Sequence, residues 1–156
     1  MLWRESSRVR GCPAASGALL AAALTLASSH ASTGEQLAKS AALEFGRALM
    51  RADTSALASV LPSRGKVRLR LICFAPEEGS YSSEQVQALF KDFLRQGVVR
   101  SFDLLRVQCS SEQFALVQAR ARISDRDGRL TDVDLHLTLE PDGDRWVLRE
   151  LREAPR

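Results

Sequence analysis

Val117-Gln118-Ala119-Arg120-Ala121-Arg122-Ile123 and Thr131-Asp132-Val133-Asp134-Leu135-His136-Leu137 are two runs of strict apolar–polar alternation. A period of two marks a strand with one buried face. Between the runs, Arg126-Asp127-Gly128 suits a three-residue hairpin with Gly in the left-handed position. That turn pairs Arg122 with Asp132, Arg120 with Asp134 and Gln118 with His136 on one face. On the other it pairs Ala121 with Val133, Ala119 with Leu135 and Val117 with Leu137. Apolar meets apolar and Arg meets Asp, and a slip of one residue would destroy both matches.

Outward from this hairpin, strands are expected over 101–109, 113–123, 131–139 and 145–151. Pro141-Asp142-Gly143 marks the last turn, whose register the sequence leaves open. Upstream, Ser82 and Gln85 have the spacing of a capping box, with Tyr81 placed as a hydrophobic staple toward Val86. Val86, Leu89, Phe90, Phe93 and Leu94 make the apolar stripe of that helix, and Gly97 ends it. Residues 75–80 read as a loop. Residues 66–74 alternate as a half-buried strand, with Val67, Leu69, Leu71 and Cys73 on one face and Lys66, Arg68 and Arg70 on the other. Before it, Ser63-Arg64-Gly65 reads as a turn. Leu37, Ala41, Phe45, Ala48 and Leu49 predict a helix over 35–51. Asp53 or Thr54 caps a short second helix carrying Leu57, Val60 and Leu61, which Pro62 stops. The order predicts an α+β domain in which N-terminal helices and a third helix cover the apolar face of a curved, mainly antiparallel sheet.

The first residues carry a different signal. Arg4, Arg8 and Arg10 precede an apolar run over 18–27, and Ser29-His30-Ala31 is a small-x-small cleavage pattern. The run is too short to span a bilayer, so 1–31 reads as a secretory signal and 32–156 as the exported domain, periplasmic or secreted. Cys12 precedes the apolar run instead of closing it, which does not suit lipidation. Of the 22 basic and 19 acidic residues, the signal holds three Arg and Glu5, which leaves a formal charge of +1 on the rest. The basic balance belongs to the leader and points to no nucleic-acid partner. Export permits a disulfide, but Cys73 and Cys109 alone make neither a disulfide framework nor a metal-type spacing.

The helix–helix–strand–helix–meander order resembles the nuclear transport factor two-like superfamily, a cone-shaped cystatin-like fold shared with ketosteroid isomerase and scytalone dehydratase. Four stretches narrow the likeness: Gly79-Ser80-Tyr81-Ser82-Ser83-Glu84-Gln85, Phe90-Lys91-Asp92-Phe93, Ser101-Phe102 and Trp146-Val147-Leu148-Arg149-Glu150-Leu151-Arg152. They are similar to a family of small secreted bacterial proteins in that superfamily, grouped as a domain of unknown function. The likeness spans nearly all of 32–156. It implies that the strand with Cys73 lies beside the last strand and that the strand with Cys109 forms the far edge. The thiols would then lie beyond the about 7 Å between Cα atoms that a disulfide tolerates. It brings no catalytic residues, because this fold hosts isomerases, dehydratases, binding modules and transport factors alike.

The chemistry read from the residues is sparse. Val67, Leu69, Leu71, Leu105, Val107, Ala115, Val117, Ala119, Ala121, Ile123, Val133, Leu135, Leu137 and Leu139 are expected to face inward, and none can move a proton. His136 shares a face with Asp132 and Asp134, so a surface metal site is sterically conceivable, but Arg120 and Arg122 already answer the carboxylates. Arg64, Lys66, Arg68 and Arg70 form a basic stripe with no interleaved aromatic, the pattern of a solvated strand face. Tyr81 and Asp92 could be drawn as an acid and a base, but a staple and a polar helix face explain them better. The small residues Ala115, Ala119 and Ala121, with Val117, Leu135 and Leu137, either take a close-packed helix or line an apolar pocket; close packing is the commoner use. The expected protein has no catalytic, cofactor or metal site. It binds an envelope protein or an apolar small molecule and has no membrane span once the signal is removed. A homodimer is left open. The alternative is an isomerase- or dehydratase-type enzyme using the cone pocket.

Overall fold

The computed structural model describes residues 33–72, 75–111 and 113–154; residues 1–32 with Cys12, and Cys73, lie outside the described residues. The elements are α1 (Thr33–Met50), a 3-10 turn (Ala56–Ser59), β1 (Val67–Leu71), β2 (Ala75–Tyr81), α2 (Ser83–Gln96), β3 (Val98–Ser111), β4 (Phe114–Ser124), β5 (Leu130–Asp142) and β6 (Arg145–Glu153). They form one sheet in the order β2-β1-β6-β5-β4-β3, in which only β1 and β6 run parallel. The helices lie on its inner face, α1 chiefly over β3. This is the expected α+β cone.

All six cross-strand pairs expected for the β4–β5 hairpin are present. Gly128 takes φ +77°, and the Asp125 carboxylate closes the turn by accepting at Oδ1 from the amides of Asp127 (2.9 Å) and Arg129 (2.8 Å). The last hairpin turns on Gly143-Asp144, with Asp142 opposite Arg145. Gly143, at φ +68°, supplies the positive first angle of a II′ turn.

At α2 the capping box is complete: Ser82 Oγ accepts from the Gln85 amide, and the Ser82 amide donates to Gln85 Oε1. Gly97 ends the helix, but in an extended conformation (φ −150°) instead of the left-handed one. It is needed for proximity: a Cβ there would lie 3.1 Å from the Ser124 carbonyl oxygen. α1 ends in a Schellman-type pair, Asp53 amide to Ala48 oxygen and Ala52 amide to Leu49 oxygen, which puts Ala52 at φ +52°. Asp53 then opens the 3-10 turn by accepting from the Ala56 amide (3.0 Å).

Three expectations are corrected. Residues 75–80 are not a loop but most of β2, paired antiparallel with β1. Ala75-Pro76-Glu77-Glu78-Gly79-Ser80 looks like turn chemistry because an edge strand needs only one partner, and there Pro, charge and Gly are tolerated. Leu105 does not face inward; it is 54% exposed. The β3–β4 register shifts between Leu104 and Arg106, and this bulge turns Leu105 outward while Phe102, Leu104, Val107 and Cys109 pack on the core side. Leu37, assigned to the apolar stripe of α1, is exposed; Ala38, Ala42, Phe45 and Leu49 carry the buried face.

β1 lies beside β6 and β3 forms the opposite edge, as the resemblance implied, so β1 and β3 stand four strand spacings apart, about 19 Å. Cys109 is a half-buried free thiol whose pKa is pushed up by burial and, to a smaller degree, by the charge of Glu35.

Phe45 of α1 ties the layers together. Its ring stands edge-on to Phe90 of α2 (centroids 5.8 Å apart) and to Phe102 of β3 (6.0 Å). The Phe102 ring lies directly on Gly46, where a built Cβ would come within 2.6 Å of Cγ. Two opposite substitutions test this account. Gly46→Ala gains about 1 kcal/mol of helix propensity but forces the Phe102 ring from its place, at about 1–3 kcal/mol. The net expectation is a loss in urea unfolding, relieved when Phe102→Leu is added. Ala52→Gly removes the left-handed strain and should gain about 0.5–1 kcal/mol in the same measurement.

Candidate functional site

Ile123 is the last inward residue of β4 before its turn, and Val133 is an early inward residue of β5. Both are buried. The C-terminal end of α2 is held against them by the close approach of Gly97 to Ser124. Between helix end and hairpin lies a cavity of about 240 Å³ lined by Phe93, Gln96, Gly97, Ile123, Asp125, Thr131 and Val133. Phe93, Ile123 and Val133 give it an apolar wall, and Gln96, Asp125 and Thr131 are exposed at its rim. Ser124, the one buried polar side chain among the described residues, donates from Oγ to the Asp125 carbonyl at 3.3 Å. Asp125 is the one titratable group in the lining. Its Oδ1 is engaged by two turn amides, and Oδ2 accepts no hydrogen bond among the described residues.

Ala115, Val117, Ala119, Ala121, Leu135 and Leu137 all lie on the same inner face, each at most 1% exposed, and none of them lines this cavity. The alanines oppose larger neighbours: Ala119 sits between Leu104 and Leu135, and Ala121 between Phe102 and Val133.

A second cleft, of about 250 Å³, lies where the 61–65 segment meets the start of α2 and Arg145. Its polar groups are largely spoken for. Ser63 donates through its amide and Oγ to Asp142, Ser83 Oγ donates to the Pro62 oxygen, and Arg145 donates to the Ser59 oxygen. The pKa of Glu84 is held low by its own amide and by the Ser82 hydroxyl, so the helix start already has its anion.

The outer face is a charge ladder. Arg120 grips Asp134 through two bonds (2.7 and 3.2 Å) and Arg122 grips Asp132 likewise (2.7 and 3.0 Å). His136 stands between Gln118 and Arg152 across its two neighbouring strands. No group of three or more His, Cys, Asp or Glu among the described residues could hold a metal. Arg68 and Arg70 both reach Glu78 of β2, at 3.7 and 3.4 Å. Asp92 is exposed and paired with Arg95, whereas Tyr81 is half-buried against the core. Among the described residues no helix is long and apolar enough to cross a membrane.

Sequence reading placed Phe93, Ile123 and Val133 in the core and Gly97 at a helix end, but not around a common space. The sequence carries no local signal for it: Ile123-Ser124 continues the apolar–polar alternation, and only in the structure are both residues buried.

No protein-family profile matches the chain, and no curated protein matches it in sequence. Solved structures do match in shape. A ketosteroid isomerase-like protein from Erwinia carotovora atroseptica aligns with TM-score 0.64 at 12% identity, over 81% of this chain and 100% of that one. A proposed dehydratase of the nuclear transport factor two-like family from Streptomyces avermitilis gives 0.58 at 17%, over 80% and 97%. A DUF4783 family protein from Bacteroides ovatus gives 0.55 at 13%, over 70% and 90%. At these identities the likeness establishes the cone fold.

The outer ladder makes a pH prediction. Arg120 holds the Asp134 carboxyl below its ordinary pKa. A depressed folded-state pKa contributes stability above the unfolded value, and that contribution disappears as pH falls through the folded one. At half exposure it is small. Asp134→Asn should therefore lower the melting temperature only slightly at neutral pH, and the two proteins should converge in acid. A large gap, or one that widens in acid, contradicts this.

Proposed function

We propose that the chain is exported after removal of residues 1–31 and acts in the cell envelope as a non-catalytic binding module. Its ligand is a small apolar molecule held between the end of α2 and the β4–β5 turn. The observation that carries this reading is the cavity lining. Three apolar side chains form the wall, and the one titratable group, Asp125, already has an oxygen committed to the turn. Acid–base catalysis needs a positioned proton donor or acceptor within hydrogen-bond reach of the substrate; shape and a few polar contacts suffice for binding. With a charge of +1 outside the leader, no nucleic-acid partner is proposed. On this reading Ala115, Val117, Ala119, Ala121, Leu135 and Leu137 are a packed floor of the sheet outside the cavity.

A second reading, a small-molecule isomerase or dehydratase, draws support from the likeness to the ketosteroid isomerase-like protein and the proposed dehydratase. It requires Asp125 to act as the base. Turnover of a keto-steroid or a hydroxy-carbonyl substrate that is lost in Asp125→Asn would favour it over binding alone.

Two variants separate floor from cavity. Ala119→Leu should cost about 1–3 kcal/mol by overpacking and leave binding of an apolar fluorescent probe unchanged. Gln96→Trp, at the exposed rim, should keep stability and weaken the probe. If Ala119→Leu is tolerated and abolishes binding instead, the ligand enters the floor. Amino-terminal sequencing of the protein recovered from outside the cytoplasm should begin at Ser32; an intact leader overturns the cleavage, and absence of the protein from that fraction overturns the export.

A further inference from the structure

The polar atoms at the cavity rim limit what the ligand can present there. The Asp125 carboxylate can only accept. Its Oδ1 serves two turn amides, and Oδ2 makes no hydrogen bond within the described residues. Thr131 offers a hydroxyl and Gln96 an amide, each able to accept through its oxygen as well as to donate, so Asp125 alone fixes the sign of the charge that the rim favours. None of the seven lining residues is Lys, Arg or His, so a bound anion would meet a carboxylate with no counter-charge in the wall. Arg126 and Arg129 of the turn are exposed and outside the lining, where solvent screens them.

We infer that the ligand of this cavity is an amphiphile with a compact apolar body and a primary ammonium head, the body against Phe93, Ile123 and Val133 and the head at Asp125, Thr131 and Gln96. An ammonium has three N–H donors and no acceptor, which matches three rim oxygens. A carboxylate or phosphate head would instead meet the Asp125 charge with no counter-charge in the lining. The inference rests on the reading of this cavity as the binding site and adds the chemical class of what it holds.

Three probes of one shape and different heads test it: cyclohexylamine, cyclohexanol and cyclohexanecarboxylate, titrated into the ¹⁵N-labelled protein while the amides of Gln96, Gly97, Asp125 and Thr131 are followed. The amine should bind about five- to tenfold tighter than the alcohol, because a hydrogen bond to an ionised partner is roughly twice as strong as a neutral one. The carboxylate should bind weakest. Asp125→Asn keeps an Oδ1 to accept from the Asp127 and Arg129 amides, so the turn should persist, visible as unchanged shifts there. Alcohol binding should be retained and the preference for the amine lost. If the amine binds no tighter than the alcohol, or keeps its advantage in Asp125→Asn, the ammonium inference is wrong and the apolar cavity stands. If no probe perturbs the four amides, the reading of the cavity as a binding site fails, and the inference with it.

Discussion

The pairing of Ala119 with Leu135 and of Arg120 with Asp134 commits the whole sheet to one inside and one outside. A strand has period two, so no intermediate register exists: a slip of one residue would put Arg120 and Arg122 into the core. With the inner face set, the same alternation carries across β5 to β6, where Leu137 meets Leu151, and on to β1, where Leu69 meets Leu151 in the parallel pair. The helices follow because, among the described residues, this face is the large apolar surface available to them. Phe45 meets Phe102 only where Gly46 leaves room for the ring.

The edges of the sheet obey other rules. β3 has a partner on one side only, and its register against β4 shifts three times. Each shift spoils the flat ladder that another strand would need. One shift turns Leu105 out beside Arg106. β2, at the other edge, combines Pro76, Gly79 and Glu78, the last of which pairs with both Arg68 and Arg70 on β1. Two members of the basic stripe, Arg68 and Arg70, are thus one side of an ion-pair cluster.

The cavity arises where these two regimes meet. α2 is stopped by Gly97 at the Ser124 carbonyl, and past that contact the hairpin turns away under the control of Asp125. Neither element can fill the space alone. The helix has reached its end, and the strand side chains there alternate away. What remains is an apolar wall with three oxygen-bearing side chains at the rim, a geometry for recognition by shape and a few hydrogen bonds.

The sequence by itself determined the elements whose signals are local. The capping box at Ser82, the Gly128 hairpin and the alternation of β4 and β5 are each dictated by contacts within a few residues or across one turn, so periodicity and turn chemistry reveal them. β2 and the outward turn of Leu105 were decided by tertiary structure. An edge strand is selected by the partner it meets, and a bulge by the mismatch between two long strands, and neither leaves a repeating pattern. The candidate site belongs to the second class. Phe93, Ile123 and Val133 each read as core, and only the docking of Gly97 on Ser124 decides that they border a shared space. That contact joins a helix end to a strand end 27 positions apart through the absence of a side chain. An absent side chain leaves no periodic trace, so the cavity is visible only in three dimensions.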